Sequence, residues 1–244
     1  MYLKDYLFFI AAILVCLVFS GWASAKVHSA YAAFSEEKTR SNMTGYDTAV
    51  RLLRANGVTD ISVGRISGRL SDHYHPTKKT VNLSTSTYGD NSVAAVAVAA
   101  HEIGHVMQNK RGYLPYKIRT ALVPVANFGS FLAMPLVLIG VLLDAFLLAG
   151  SDSRLGFTFA LIGVAFYGAA TLFQLVTLPV EFNASKRARK MLVEEGVLTE
   201  EESVGAKRVL DAAALTYVAG LATSLVYFLR FFVWVLTIFG RRRR

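Results

Sequence analysis

Cysteine and acidic residues are both scarce in this sequence, which bears on the kinds of metal site and of partner that the chain can have. Cys16 is the single cysteine, so an intramolecular disulfide and a cysteine-rich metal site are both excluded. The 17 acidic residues stand against 26 lysines and arginines, which gives a formal net charge of +9. The basic residues cluster beside apolar segments, a pattern that favours anionic lipid headgroups over nucleic acid as the partner.

Long apolar stretches account for much of the 54% hydrophobic composition. Each is close to or above the ~20 residues that cross ~30 Å of hydrocarbon. They are Tyr6–Ala25, Leu122–Gly150, Leu155–Val180 and Ala212–Gly240. We therefore predict an α-helical membrane protein with about four transmembrane helices, the second and third joined as a hairpin at Ser151–Arg154. Two polar blocks, Lys26–Thr120 and Glu181–Asp211, then lie on the same side of the membrane and carry any aqueous chemistry.

The side of the membrane is predicted from the basic residues. The two polar blocks hold 19 of the 26, which places them in the cytoplasm of a multi-pass cell-membrane protein. Four spans would put the basic residues Arg241–Arg244 on the opposite side from the two blocks, so these residues conflict with this orientation. Ala23-Ser24-Ala25 resembles a signal-peptidase site, which would put the blocks outside. Because the apolar run is long for a signal peptide and its start is weakly basic, an uncleaved anchor is favoured.

Local patterns predict the elements of the first polar block. Helical spacing, alternation and capping residues give a helix over Gly45–Asn56, strands within Asp60–Ile66 and Thr80–Ser84, a turn over His75–Lys79 and a helix from Ser92 to Gln108. The last helix carries the segment HEIGH. Residues four apart on a helix share a face, so the imidazoles of His101 and His105 can converge on one metal ion.

The HEIGH segment matches the HExxH pattern of zinc metalloproteases, in which Glu102 would act on the catalytic water. The alternative is a helix with two surface histidines. A catalytic zinc takes three protein ligands and keeps one open position. No further histidine follows in Val106–Arg111, so the third ligand must come from elsewhere in the chain.

Glu181 is the predicted third ligand. It opens the second polar block, and the predicted hairpin returns it to the side of the membrane where the HEIGH helix ends. The alternative is a carboxylate at the membrane interface that is solvated or pairs with Lys186 or Arg187.

HEIGH, a membrane hairpin and EFNASKRA together resemble the YugP-type integral-membrane zinc metallopeptidases. The resemblance covers nearly the whole chain, including the segments GYDTAVRLLRANG, DHYHP and LDAAALTYVAG. A more distant similarity is to the HtpX-type membrane proteases, whose third-ligand motif is Glu-x-x-Ala-Asp. Glu181 and Ala184 match that motif, but Ser185 stands in place of the Asp. Ser185 or Asn183 would then replace the hydrogen bond made by that Asp.

The resemblance implies a small α+β zincin-like catalytic domain, with the HExxH helix behind a sheet whose edge strand pairs with substrate backbone. Thr80–Ser84 is the expected edge strand, and the alternative is an ordinary strand within the sheet. The implied activity is a zinc-dependent endopeptidase that cleaves membrane or membrane-proximal proteins, with Zn²⁺ as cofactor, a protein or peptide as substrate and the lipid bilayer as its surroundings. Tyr217 or His75 is a candidate donor to the oxyanion. Asp72, His73 and His75 either line the cleft or lie in a turn.

Five segments are predicted. They are an anchor at 1–25, a zincin-like catalytic part at 26–121, a transmembrane hairpin at 122–180, a helical segment with the third ligand at 181–211, and a transmembrane helix with a basic tail at 212–244.

Two other functions remain open. One is a site-2-type intramembrane protease, for which Asp144 would be a ligand. The other is a non-enzymatic zinc-binding protein or transporter, although only Asp144 and Arg230 are charged deep in the apolar stretches.

Overall fold

The computed structural model describes residues 2–147 and 154–240. Within these described residues, seven α-helices and three strands follow one another. They are α1 (Tyr2–Ser35), α2 (Gly45–Ala55), β1 (Ser62–Ile66), β2 (His73–His75), β3 (Thr80–Ser84), α3 (Thr85–Tyr88), α4 (Val93–Lys110), α5 (Leu114–Leu142), α6 (Leu155–Glu194) and α7 (Glu200–Gly240). A π-helical turn, Leu143–Leu147, follows α5. The predicted hairpin turn falls mostly on residues 151–153, which lie outside the described residues.

The described part of the chain contains four helices that are long and apolar enough to cross a membrane: α1, α5 with its π-helical turn, α6 and α7. This confirms the prediction of a mostly helical chain with a small sheet and four candidate spans. α1, α6 and α7 are each longer than their apolar stretch, and α5 begins before its stretch, because polar residues extend these helices. α6, for example, continues from Val180 to Glu194 without interruption.

The chain divides into two compact units. The apolar unit comprises Met1–Ser20, Ile118–Thr177 and Tyr217–Arg244, and the polar unit comprises Gly21–Lys117 and Leu178–Thr216. The five predicted segments have other boundaries and stay a prediction.

Small residues let the helices of the apolar unit approach closely. A Cβ atom on Gly163 of α6 would lie only 2.6 Å from the carbonyl oxygen of Ala133 on α5. The hydroxyls of Thr171 and Ser224 are 2.9 Å apart and join α6 to α7. Such contacts are typical of helices in lipid, where apolar side chains gain little by facing each other. Large apolar side chains of this unit are exposed, among them Phe128, Phe131 and Phe146.

The polar unit contains a three-stranded sheet in the order β1-β3-β2. β1 pairs with β3 in parallel, and β2 pairs with β3 antiparallel. Thr80–Ser84 is therefore the central strand, and the expectation that it forms the edge was wrong. The third strand, β2, includes His75, which the sequence placed in a turn. A strand of three residues is too short to show alternation, which explains why it was missed.

α4 lies in the core of the polar unit. Its Val93–Ala100 run is fully buried except for Val98, and it packs in one cluster with Leu52 of α2, Leu83 of β3 and Leu192 of α6. Burial among other elements of the same unit accounts for this apolar run without a membrane.

Candidate metal centre

α4 positions the HEIGH residues. Ser92 caps the helix as predicted, because its side chain accepts a hydrogen bond from the backbone N–H of Ala95. The helix then runs without interruption through the motif to Lys110. His101 and His105 lie one turn apart, and their ring centroids are 4.7 Å from each other.

A close helix crossing brings Glu181 to these histidines. A Cβ atom on Gly104 would lie 2.6 Å from the carbonyl oxygen of Ala184, and Ala184 itself is fully buried. Only glycine at this position allows the backbones of α4 and α6 to come so near. Glu181 lies one turn before Ala184 on α6, so the same crossing turns its carboxylate toward the histidines.

Three donor atoms converge at this crossing. Glu181 Oε2 lies 3.1 Å from His101 Nε2 and 3.6 Å from His105 Nε2. All the ligand atoms of the group lie within 4.8 Å of one another. Ligands about 2.0–2.1 Å from a tetrahedral zinc are roughly 3.3 Å apart, so the spacing fits this ion. Glu181 is only 2% exposed. It is therefore not the solvated carboxylate at the membrane interface that the alternative interpretation described.

Hydrogen bonds hold both imidazoles in orientation. His105 Nδ1 donates to Gln108 Oε1 at 3.0 Å, which leaves Nε2 as an acceptor facing Glu181. The amide nitrogen of Gln108 donates to the carbonyl of Val180 at 2.7 Å and to Asn183 Oδ1 at 3.1 Å. Gln108 thus ties one histidine to the backbone next to Glu181. Such partners orient metal ligands and fix their tautomer.

Ser185 contacts the other histidine. Its hydroxyl lies 3.2 Å from His101 Nδ1. From the sequence, Ser185 or Asn183 was expected to replace the hydrogen bond made by the Asp of the HtpX-type motif. Asn183 instead accepts from Gln108, and it also accepts from Arg187 Nε at 2.7 Å. The two residues therefore act on different histidines, Ser185 directly and Asn183 through the glutamine.

Glu102 is buried beside the donor group. The pKa of its carboxyl is raised to about 7, mainly by burial; the charges of Glu181 and Asp72 also raise it, while His101 and the backbone N–H of Tyr74 lower it. A pKa near neutrality suits a group that accepts and returns protons.

Three other residues singled out in the sequence, Asp72, His73 and His75, make contacts within the sheet region. Asp72 accepts hydrogen bonds from the backbone N–H and the hydroxyl of Ser84. Its negative charge also contributes to the raised pKa of Glu102. His73 contacts Ser71 and, in strand β3, Asn82, and His75 accepts a hydrogen bond from the backbone N–H of Lys78. Tyr217 belongs to the apolar unit. None of these contacts gives His73 or His75 a place in the donor group.

Sequence reasoning missed two residues that build the centre, Gln108 and Gly104. A signal existed for each. Gln108 follows His105 by three positions, which on a helix places both on one face. Gly104 is the only glycine within α4, and an isolated glycine in a helix often marks a close packing contact.

Two comparisons relate the chain to known proteins. A family model described as "Putative neutral zinc metallopeptidase" matches residues 8–236. The curated protein "Putative membrane protease YugP" of Bacillus subtilis (strain 168) is 42% identical over 223 residues, which cover 91% of this chain and 94% of that protein. No solved structure matches significantly.

Proposed function

Since the chain belongs to the zinc metallopeptidase family whose model it matches, we propose that it is a zinc-dependent endopeptidase that cleaves membrane or membrane-proximal proteins. The observation that carries this proposal is the convergence of His101, His105 and Glu181 beside the buried Glu102. The Bacillus relative is described as a membrane protease, and this chain is likewise a multi-pass membrane protein.

His101, His105 and Glu181 are the proposed zinc ligands. The cofactor is zinc, as the family description states, and the spacing of the three donor atoms fits it. When bound, zinc would acidify a water molecule and polarise the carbonyl group of the scissile peptide bond. The set of two histidines and one glutamate, with Glu102 beside them, supports a gluzincin-like site.

Glu102 is the proposed proton carrier. Its carboxylate accepts a proton from the attacking water, so that the oxygen can form a bond to the carbonyl carbon. It then gives that proton to the leaving nitrogen as the C–N bond breaks, and the products are a carboxylic acid and an amine. The raised pKa of Glu102 supports both steps, because the group can hold the proton and release it near neutral pH.

Strand β2 is the proposed docking edge for substrate. It has β3 on one side only, and the Tyr74 N–H in its middle reaches Glu102. An extended peptide pairing with this edge would lie beside the proposed catalytic group. The position of the sheet next to the HEIGH helix supports a zincin-like catalytic domain.

Three observations favour this proposal over the alternatives. α4 is not among the four candidate spans in the described residues, whereas a site-2-type protease carries HExxH within a membrane helix. The donor group also takes its carboxylate from Glu181, while Asp144 belongs to the apolar unit. A protein that only binds or transports zinc has no need of a buried carboxyl such as that of Glu102 beside the donor group.

Cleavage-site mass spectrometry tests the proposed function directly. Membrane fractions that contain wild-type chain are expected to yield new peptide termini, and fractions with Glu102→Gln are expected to lack them. The same set of termini in both fractions would contradict the proposed function.

Gln108 and Ser185 provide a graded test of the ligand set. Gln108→Met keeps the side-chain volume but removes all three hydrogen bonds of the amide group, and Ser185→Ala removes the one to His101. Each is expected to weaken zinc affinity by about 10–100-fold without abolishing it, because such partners orient ligands but do not bind the ion. Competition with a zinc chelator measures the affinity.

Gln174→Met is the matched control, because it makes the same change in the apolar unit and should leave zinc affinity unchanged. Wild-type affinity in both Gln108→Met and Ser185→Ala would show that these contacts do not position the ligands.

The polar unit is proposed to face the cytoplasm, and an engineered cysteine tests this. Thr77 is exposed, so Thr77→Cys in a Cys16→Ser background offers one reactive thiol. We expect a membrane-impermeant thiol reagent to label it only after cells are permeabilised. Rapid labelling in intact cells would place the unit outside, in agreement with cleavage after Ala25.

A further inference from the structure

A cleft with a volume of about 770 Å³ lies in the polar unit between α1, α6 and α7. Two basic residues and several apolar ones line it: Lys26, Phe34, Phe182, Arg208, Ala212 and Leu215. Alanines form much of the remaining wall. The proposed peptidase reaction makes no use of this cleft.

The cleft lies where two apolar stretches meet polar sequence. The stretch in α1 ends at Ala25, one residue before Lys26, and the stretch in α7 begins at Ala212. Trp22 stands one turn before Lys26 and is 48% exposed, with Lys26 Nζ 5.3 Å from the centre of its ring. Tryptophan and lysine at the end of an apolar helix mark the headgroup level of a membrane.

The charges of the cleft favour an anionic ligand. Lys26 and Arg208 are exposed. The one acidic residue in the lining, Asp211, accepts a hydrogen bond from Lys207 on the preceding helical turn, so its charge is balanced. The two cations are therefore in excess, and both side chains can reach a phosphate group.

The apolar wall favours a lipid over a soluble phosphate compound. Phe34 and Leu215 offer apolar surface for the first part of an acyl chain, and a free phosphate ion would leave this surface unused. A transmembrane segment of a substrate would have to bring its apolar side chains against two cations. These observations fit one occupant best.

We propose that this cleft binds an anionic phospholipid, with its phosphate at Lys26 and Arg208 and the start of an acyl chain along the alanine-rich wall. The lipid would fill the space between α1 and α7 and so support the polar unit that holds the zinc ligands.

Native mass spectrometry of the purified full-length protein tests this. After delipidation in detergent, phosphatidylglycerol or phosphatidylcholine with the same acyl chains is added, and bound lipid is measured. The wild type is expected to prefer phosphatidylglycerol. Lys26→Gln combined with Arg208→Gln should weaken its binding by about 30-fold, since each basic residue near a lipid surface contributes about fivefold. The preference over phosphatidylcholine should disappear as well.

Arg54→Gln combined with Lys190→Gln is the matched control. It removes the same charge from two exposed residues outside the cleft and should leave lipid binding unchanged. Ala33→Trp fills the cleft from an exposed position of α1 and should lower the binding of both lipids. Equal zinc content in all variants shows that the polar unit is folded.

Three results would overturn the proposal. One is wild-type phosphatidylglycerol binding in the variant without the two cations, and another is an equal loss in the charge control. The third concerns substrate. If Ala33→Trp slows cleavage of a membrane-anchored substrate while lipid binding stays at the wild-type level, the cleft receives substrate and not lipid.

Discussion

Glu181→Ala is expected to lose zinc and peptidase activity together, and the same result is expected for His105→Ala. The Glu181 carboxylate is almost fully buried and faces both histidines, at 3.1 Å and 3.6 Å. Its loss leaves two ligands, which cannot form the three-ligand site of a catalytic zinc. We expect zinc affinity to fall by more than the ~100-fold limit that applies to residues outside the ligand set. Elemental analysis measures the zinc content, and competition with a chelator measures the zinc affinity.

Glu194→Ala is the matched control for this experiment. Glu194 lies on the same helix, is exposed and pairs with Lys190 at 3.5 Å. An exposed pair of this kind contributes about 0–1 kcal/mol, so zinc content and activity should remain. Glu181→Gln guards against a packing defect, because it keeps the size of the side chain and should still lose most of the zinc affinity. Wild-type affinity in Glu181→Ala would show that the third ligand lies elsewhere.

Glu102→Gln is expected to keep zinc and lose cleavage. Glu102 is proposed to move protons without binding the metal, and general acid–base groups contribute about 10²–10⁴-fold in rate. The variant should also fold, because glutamine is neutral and burial already disfavours the charged form of this carboxyl. Cleavage of a casein-like substrate by purified protein, with zinc content measured in the same sample, tests both expectations.

Glu36→Gln makes the same chemical change at an exposed residue and should leave the rate unchanged. Cleavage by Glu102→Gln at the wild-type rate would contradict the proposed proton transfer, even if the zinc site were correct. Loss of zinc in Glu102→Gln would instead move Glu102 into the ligand set. Together with the Glu181 variants, this experiment separates metal binding from chemistry.

Local patterns in the sequence predicted several elements correctly. α2 begins after Thr44 and ends at Ala55, in agreement with the helix expected over Gly45–Asn56. α4 begins at its predicted cap, Ser92. Helical spacing and capping depend on neighbours a few residues away, so the sequence contains this information in readable form. The same holds for the apolar stretches, whose length alone indicates a span.

Strand order was not predictable in the same way. β3 alternates like any half-buried strand, but its central position depends on β1 and β2 pairing with it from both sides. β2 has three residues and becomes a strand only because β3 is beside it. Sheet order follows from contacts between distant residues, which alternation in one strand does not encode.

For the centre itself, the sequence determined the HEIGH helix and its two histidines, since a four-residue spacing on a helix fixes their common face. It also gave grounds to expect Glu181, but not its distance from them. Only the tertiary structure decided that Gly104 admits Ala184 and that Gln108 links His105 to the backbone beside Glu181. These contacts join α4 to α6 across more than 70 residues, and they exist because packing of the two helices, not their local sequence, brings the backbones together.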